Sequence, residues 1–347
     1  MISTFPTKTF PNHFSIVTGY YQETHGIVNN VMFDPISNET FTMSSKGNKW
    51  WDNGLSIPIW VANQMVKNDR FSYVSMWPGS WEEIYGRKPH YSEPYVRNSN
   101  FEQRIEKMIA ELSRKQQPAN LAVMYFDEPD QTAHHYGPFA NETRGKIKIA
   151  DNLVGFLIER LKTANLLNKA NIIILSDHGM AEVKFENMID LNKIVDTRFF
   201  RVFGSAPVLN ILANEGKKEL VYQMLKKASI KNHFNVYKRE EVPHEYHYRN
   251  HRRILDFVVE ANEGYFVDTG IEKWFCGQKA GVHGYNNKLL SMRPLFLASG
   301  PAFKKNFVYD RLFENIDLYP LMCKILDLNY AELPSNGTFD KVEAILN

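Results

Sequence analysis

Two short apolar runs, "NLAVMYF" at residues 120–126 and "NIIIL" at 171–175, flank a stretch whose apolar residues recur at helical spacing. The order of these three pieces constrains the fold more than anything else in the chain. Both runs suit buried strands, and "RGKIKIADNLVGFLIERLKTANLLN" between them carries Ile149, Leu153, Leu157 and Leu161 on one helical face. Strand, crossover helix and strand imply parallel strands joined right-handedly, both ending on the same edge of the sheet. Open α/β sheets bind ligands at that edge. "RPLFLASGP" reads as a further strand and "FENIDLYPLMCKILDLN" as a helix near the end of the chain. The sequence therefore predicts an α/β fold, a mostly parallel sheet flanked by helices, in one domain spanning residues 1–347. Residues 40–100, with Trp50, Trp51, Trp60, Trp77 and Trp81, read as an aromatic-rich, pocket-forming insert rather than sheet.

Composition excludes several classes. A chain of 347 residues, 44% hydrophobic and 23% charged, can bury a large core. Its formal charge of +2 implies no polyanionic partner, so no nucleic acid polymer is expected. No apolar run approaches the roughly 18 residues of a membrane span. The opening "MISTFPTKTF" lacks the basic and apolar regions of a signal peptide. Cys276 and Cys323 allow one disulfide at most, and Asn-x-Ser/Thr sequons stand at Asn38, Asn141 and Asn336. Composition alone leaves the compartment open.

Polar residues cluster where the two strands end. "DEPDQTAHHYGP" follows the first strand and places Asp130 and His134 four residues apart, on one face of a helical turn. "SDHGM" follows the second strand and puts Asp177 and His178 at its tip. In "GVHGYNN", His283 lies between glycines that let the backbone approach a site closely. Each loop Asp-His pair alone would pass for a turn or a cap. Gathered on one edge, two aspartates and three histidines read as a zinc-type metal site.

The segment "FPTKTFPNHFSIVTG", residues 5–19, bears on that edge. Thr9 stands at or beside the start of a short helix, with Phe14, Ile16 and Val17 as apolar positions and Gly19 as its left-handed stop. Thr9 could serve as a cap. A pair of nearby metal ions favours the other role, a nucleophile whose hydroxyl is activated by coordination and whose phosphate ester substrate is clamped.

These residues resemble the ecto-nucleotide pyrophosphatase/phosphodiesterase family of the alkaline phosphatase superfamily. The motifs that carry the resemblance are "FPTKTFPNHFSIVTG", "HGIVNNVMFDP", "EPDQTAHHYGP", "SDHGM" and "HGY", in order along nearly the whole chain and closing on "NGTFD". The resemblance implies an alkaline-phosphatase-like core and a binuclear zinc enzyme. Its threonine attacks a phosphodiester or pyrophosphate, and the phosphothreonine formed is then hydrolysed. It further implies that Thr9 is the nucleophile and Asn30 the side-chain donor to the phosphoryl oxygen. Asp130, His134 and His283 would hold one zinc, and Asp177 and His178 the other. Phe10, Trp77, Tyr95 and Tyr125 resemble the aromatic walls that stack on a nucleobase, although Tyr95 and Trp77 also read as core aromatics. The implied partner is a small nucleotide or related diester. The implied location is extracellular or at the cell surface, with membrane attachment only through a segment absent here.

One departure stands beside the match. The family has an upstream strand whose aspartate is a ligand of the second zinc, and this chain begins eight residues before Thr9. That first strand and that ligand are therefore expected to be missing, through an incomplete gene model, a short isoform or a degenerate paralogue. The rivals to a nucleotide phosphodiesterase are an impaired paralogue acting as an extracellular binding protein and a choline-type phosphodiesterase. A sulfatase lacks its Cys/Ser-x-Pro-x-Arg context here, and the aromatic walls suit a diester better than a monoester.

Overall fold

A computed structural model describes residues 1–66, 69–269, 279–329 and 332–347; Cys276 lies outside them, and Cys323 is a buried thiol. The first helix, α1 (Thr9–Thr18), has Phe14, Ile16 and Val17 in the main core and its polar residues buried as well. Asn12 donates to Pro6 O and Lys8 O, and Ser15 pairs with His25, so the buried polar groups are satisfied. Gly19 ends the helix at φ 71°, and its N–H returns to Ser15 O. A Cβ there would come within 2.7 Å of Ser335 Cβ and 2.8 Å of Tyr319 Cβ, so both backbone angle and space require glycine.

The short helix α2 (Gln22–His25) leads to an antiparallel hairpin of β1 (Met32–Asp34) and β2 (Glu39–Phe41). Next come α3 (Ile59–Val66), β3 (Phe71–Ser75), β4 (Tyr91–Glu93), α4 (Phe101–Leu112) and β5 (Ala119–Met124). Strands β4, β3 and β5 form a parallel sheet with β3 in the centre. This corrects the expectation that residues 40–100 lack sheet. "FSYVS" is a fully buried strand. Its serines hid it: Ser72 bonds Trp60 O, and Ser75 bonds Glu93 and accepts from Arg104. The tryptophans of this segment build core rather than a flap, with Trp51 and Trp60 fully buried. Complete burial of such a side chain stabilises by about 3 kcal/mol or more, which favours packing over a mobile wall.

Helix α5 (Asp130–Tyr136) follows β5, and α6 (Asn141–Thr163) crosses to β6 (Ile172–Leu175). Strand, helix and strand lie where the apolar pattern places them. Leu161 of the α6 stripe is buried, whereas Ile149 is exposed. Most of β5 and all of β6 are only half-buried. Among the described residues β5 pairs on one edge with β3, and β6 on one edge, antiparallel, with β15 (Phe296–Ser299).

The remaining strands make a second body of core. Antiparallel β7 (Ala181–Lys184) and β14 (Lys279–Val282) lie beside the parallel pair β8 (Met188–Asp190) and β13 (Phe266–Asp268). Four antiparallel strands run in the order β11–β12–β10–β9, from Phe234–Lys238, Phe257–Ala261, Val208–Ala213 and Phe200–Ser205. Helix α7 (Lys218–Ser229) packs on them through Val221 and Leu225. Helix α8 (Leu318–Ile325) packs beside α1, with Leu318, Tyr319 and Leu321 in the same core as Phe14 and Ile16. No helix of the described residues is long and apolar enough to cross a membrane.

Candidate active site and metal centre

Thr9 is the first residue of α1, and the cap position before it is Lys8 in extended backbone, without a capping side-chain bond. The Thr9 hydroxyl caps nothing. Its Oγ1 lies 3.5 Å from His178 Nε2, at the outer limit of hydrogen bonding, and among the described residues it has no other partner. The first turn of α1 leaves backbone N–H groups without helical partners. One of them, Phe10 N–H, donates to Asn30 Oδ1 at 2.9 Å. Because that partner is a donor, the Asn30 oxygen faces it and the Asn30 amide hydrogens stay free for another acceptor.

Asp130 opens α5, and the helix carries His134 onto the same face one turn later. Strand β14 delivers His283 to them just beyond its end. Asp130 Oδ1 lies 3.4 Å from His134 Nε2 and 3.7 Å from His283 Nε2, and the ligand atoms of all three residues fall within 4.8 Å of one another. The other ring nitrogens are engaged: His134 Nδ1 with Gly281 O at 2.7 Å, and His283 Nδ1 with Thr7 O at 2.8 Å. Carbonyl partners make each Nδ1 the donor and leave the Nε2 lone pairs turned toward Asp130. Burial, followed by the charges of His178, Lys8 and His134, holds His283 well below the usual imidazole range. A neutral imidazole is the form that binds a metal.

Asp177 and His178 follow β6 at its tip. His178 Nε2 lies 3.2 Å from Asp177 Oδ2, and its Nδ1 lies 2.9 Å from Gly179 O. Burial works to raise the Asp177 carboxyl, but His178 and His13 outweigh it and hold the group well below the usual carboxylate range. Burial likewise works to lower His178, and Asp177 reverses it, so the imidazole sits above its usual value. Asp130 Oδ1 and Asp177 Oδ2 are both buried oxygens without a hydrogen-bond partner. An orphaned carboxylate oxygen beside two imidazole nitrogens makes Asp130, His134 and His283 a three-donor set that fits a divalent metal ion such as zinc, whereas Asp177 and His178 supply two donors.

The aromatic candidates fall into separate places. Phe10 is 8% exposed among Phe41, Trp51 and Trp81. Trp77 and Tyr125 both pack on the His13 ring, at 4.6 and 4.5 Å between centroids. Trp77 is 7% exposed and donates to His13 O, which makes it a support behind α1 rather than an open pocket wall. Tyr95 is 42% exposed, and its hydroxyl donates to Asp127 Oδ2 at 2.6 Å.

His13 is the residue that the motif reading missed. Its Nδ1 lies 2.8 Å from Thr9 O and 3.3 Å from Asp177 Oδ2, so it ties the first turn of α1 to the ligand pair. The signal was present in the spacing, because His13 stands four residues after Thr9 on the same helical face.

Over residues 1–286 the chain matches the family described as type I phosphodiesterase / nucleotide pyrophosphatase. It is 40% identical to human ectonucleotide pyrophosphatase/phosphodiesterase family member 5, over 99% of this chain and 70% of that protein. It is 38% identical to human bis(5'-adenosyl)-triphosphatase, over 99% of this chain and 73% of that protein. Among solved structures, an inactive threonine-to-alanine form of murine ectonucleotide pyrophosphatase/phosphodiesterase 5 in complex with AMP superposes with a TM-score of 0.93. That protein is 38% identical, and the match covers 100% of this chain and 90% of that one.

Proposed function

Because this chain belongs to the type I phosphodiesterase / nucleotide pyrophosphatase family, an enzyme family of phosphodiester hydrolysis, we propose that it cleaves small nucleotides with Thr9 as nucleophile. The observation that carries the reading is the position of the Thr9 hydroxyl. It stands free of capping duty at the start of α1, 3.5 Å from His178, beside an Asn30 side chain whose amide hydrogens are unspent.

In this reading Thr9 Oγ1 attacks phosphorus, an Oγ1–P bond forms, and the bond from phosphorus to the leaving oxygen breaks. Water then splits the phosphothreonine and releases a nucleoside monophosphate. Asn30 donates its amide N–H to the phosphoryl oxygen as charge grows there, and the start of α1, where Phe10 N–H is taken by Asn30 and Asn12 N–H by Lys8 O, adds the positive end of a helix. Two zinc ions, one at Asp130, His134 and His283 and one at Asp177 and His178, would when bound lower the Thr9 hydroxyl pKa and offset phosphoryl charge. Tyr95 and Phe10 are assigned to the base or other ester substituent. The AMP complex of the murine relative and the triphosphatase name of the human one support a nucleotide substrate. The ectonucleotide name of the first relative supports an extracellular site of action.

The test is Thr9→Ala, assayed on p-nitrophenyl thymidine monophosphate with zinc content measured in parallel. Turnover is expected to fall by at least about 1,000-fold, as for loss of a catalytic nucleophile, with metal retained. Turnover retained with zinc in place would remove Thr9 from the role.

A further inference from the structure

Thr9 and Asn30 come from separate segments, and one distant turn holds the residue before each of them. That turn, residues 205–208, joins β9 to β10. Lys8 Nζ donates to its Ala206 carbonyl. Asn29 Nδ2 donates to Val208 O at 3.1 Å, and Ser205 Oγ donates to Asn29 Oδ1 at 3.2 Å. The same Asn29 oxygen accepts the Asn30 backbone N–H at 2.8 Å. Phe10 N–H to Asn30 Oδ1 closes the circuit on the side of the nucleophile.

The surroundings are shaped for both anchors. Lys8 is 4% exposed and Asn29 fully buried. Gly204 has φ +103°, and a Cβ on it would lie 3.0 Å from Asn29 Nδ2 and 2.9 Å from Val208 O. At Gly284, φ +121°, a Cβ would lie 2.5 Å from Lys8 Cε and 2.8 Å from Pro207 Cδ. The turn itself is fixed by the antiparallel ladder on one side and by Ala261 N–H to Pro207 O at 2.9 Å on the other. Burying a lysine amine costs desolvation that an apolar side chain of similar volume would avoid, even with the Asp130 and Asp268 carboxylates near enough to favour its charge. Stability alone does not account for Lys8. A fixed direction for the chain entering Thr9 does.

We propose that Lys8 and Asn29 are positioning residues, which use the 205–208 turn as a common support to set the separation between the Thr9 hydroxyl and the Asn30 carboxamide. The proposal rests on the roles given to Thr9 and Asn30 above. Neither Lys8 nor Asn29 touches the reacting atoms. They act through their neighbours, where an error of order 1 Å is enough to cost about 100-fold in rate.

The experiment is a mutant cycle on the zinc-loaded protein: Asn29→Ala, Asn30→Ala and the double variant, with Lys8→Met and the milder Ser205→Ala beside them. Hydrolysis of p-nitrophenyl thymidine monophosphate gives kcat and KM, and zinc content and thermal midpoint are read on the same samples. Asn29→Ala and Lys8→Met are expected to lower kcat by about 10- to 100-fold with KM within about twofold and zinc retained, the signature of misplaced rather than missing groups. In the Asn30→Ala background, Asn29→Ala should add less than about twofold, because its effect passes through a side chain already removed. Ser205→Ala, which deletes one hydroxyl and leaves the fold intact, should lower kcat by about three- to fivefold, about what a single neutral hydrogen bond is worth. An equal loss from Asn29→Ala in both backgrounds would make its role merely structural and overturn the proposal. So would Asn29→Ala and Ser205→Ala with wild-type kcat while Asn30→Ala is impaired. If Asn30→Ala itself keeps full kcat, the assignment of Asn30 fails first, and the positioning role falls with it.

Discussion

The rings of His178 and His283 lie stacked, 3.5 Å between centroids and 7° between planes. One ring belongs to the Asp177 pair and the other to the Asp130 triad, so the two ligand groups are in direct contact. His283→Ala should therefore remove a ligand and open the contact between the groups. Zinc content after desalting is expected to fall by about one equivalent, since a catalytic site usually rests on only three protein ligands. Unchanged zinc would take His283 out of the ligand set.

His13→Ala tests a residue that touches no substrate. Its Nδ1 bonds the carbonyl of Thr9 and lies in charge contact with Asp177 Oδ2 at 3.3 Å, and Trp77 and Tyr125 pack on the ring. Loss of such an outer partner typically costs about 10- to 100-fold in metal affinity or activity, and that range is expected here. A zinc titration alongside the assay separates the two losses. Wild-type values in both would show that α1 holds its place without the imidazole.

Much of the site was legible because its signals are local. Asp130 and His134 declare their shared face by a spacing of four, and Asp177–His178 follows the apolar run that becomes β6. The strand at Phe71–Ser75 was illegible because Ser72 and Ser75 break its apolar pattern, and the bonds that make them tolerable come from Trp60, Glu93 and Arg104. Trp77 carries two readings in the sequence, pocket wall and core aromatic, for a related reason. An aromatic near a site looks the same in sequence whether it faces a ligand or, as here, backs the helix that bears His13. The support beneath Thr9 and Asn30 had no local signature at all, since Lys8 and Asn29 reach partners nearly 200 and 180 residues away, with separations of 198 and 179.

Tyr95→Ala and Tyr95→Phe separate stacking from hydrogen bonding. The ring is substantially exposed, while its hydroxyl is held by Asp127 at 2.6 Å and accepts from Gln131 at 2.8 Å. If the ring faces a nucleobase, Tyr95→Ala should raise KM for a nucleotide by about 5- to 150-fold, the equivalent of roughly 1–3 kcal/mol of stacking, and change KM for a small aryl diester far less. Tyr95→Phe keeps the ring and should retain most of the affinity. Equal effects of Tyr95→Ala on both substrates would mean that the ring only supports the local fold.

Glu260 makes stability depend on pH away from the metal ligands. It lies on β12, 3% exposed, and burial pushes its carboxyl up to about 7 even though Tyr246 and Tyr237 donate to it. The unfolded chain releases that proton near its ordinary value of 4.5. Between pH 4.5 and about 7 the folded protein binds a proton that the unfolded chain has lost, so stability falls as pH rises through this window. The contribution is complete below the unfolded value and gone above the folded one. Glu260→Gln carries no ionisable group and should abolish the fall. Relative to the unsubstituted protein, the variant should gain about 2 kcal/mol between pH 5 and pH 8, the size expected from this shift at 1.36 kcal/mol per unit. Urea unfolding of both proteins under chelation, at those two pH values, gives the difference directly. Equal gaps at both would show that the folded protein accommodates the Glu260 charge, through the two tyrosine hydroxyls, without a raised pKa.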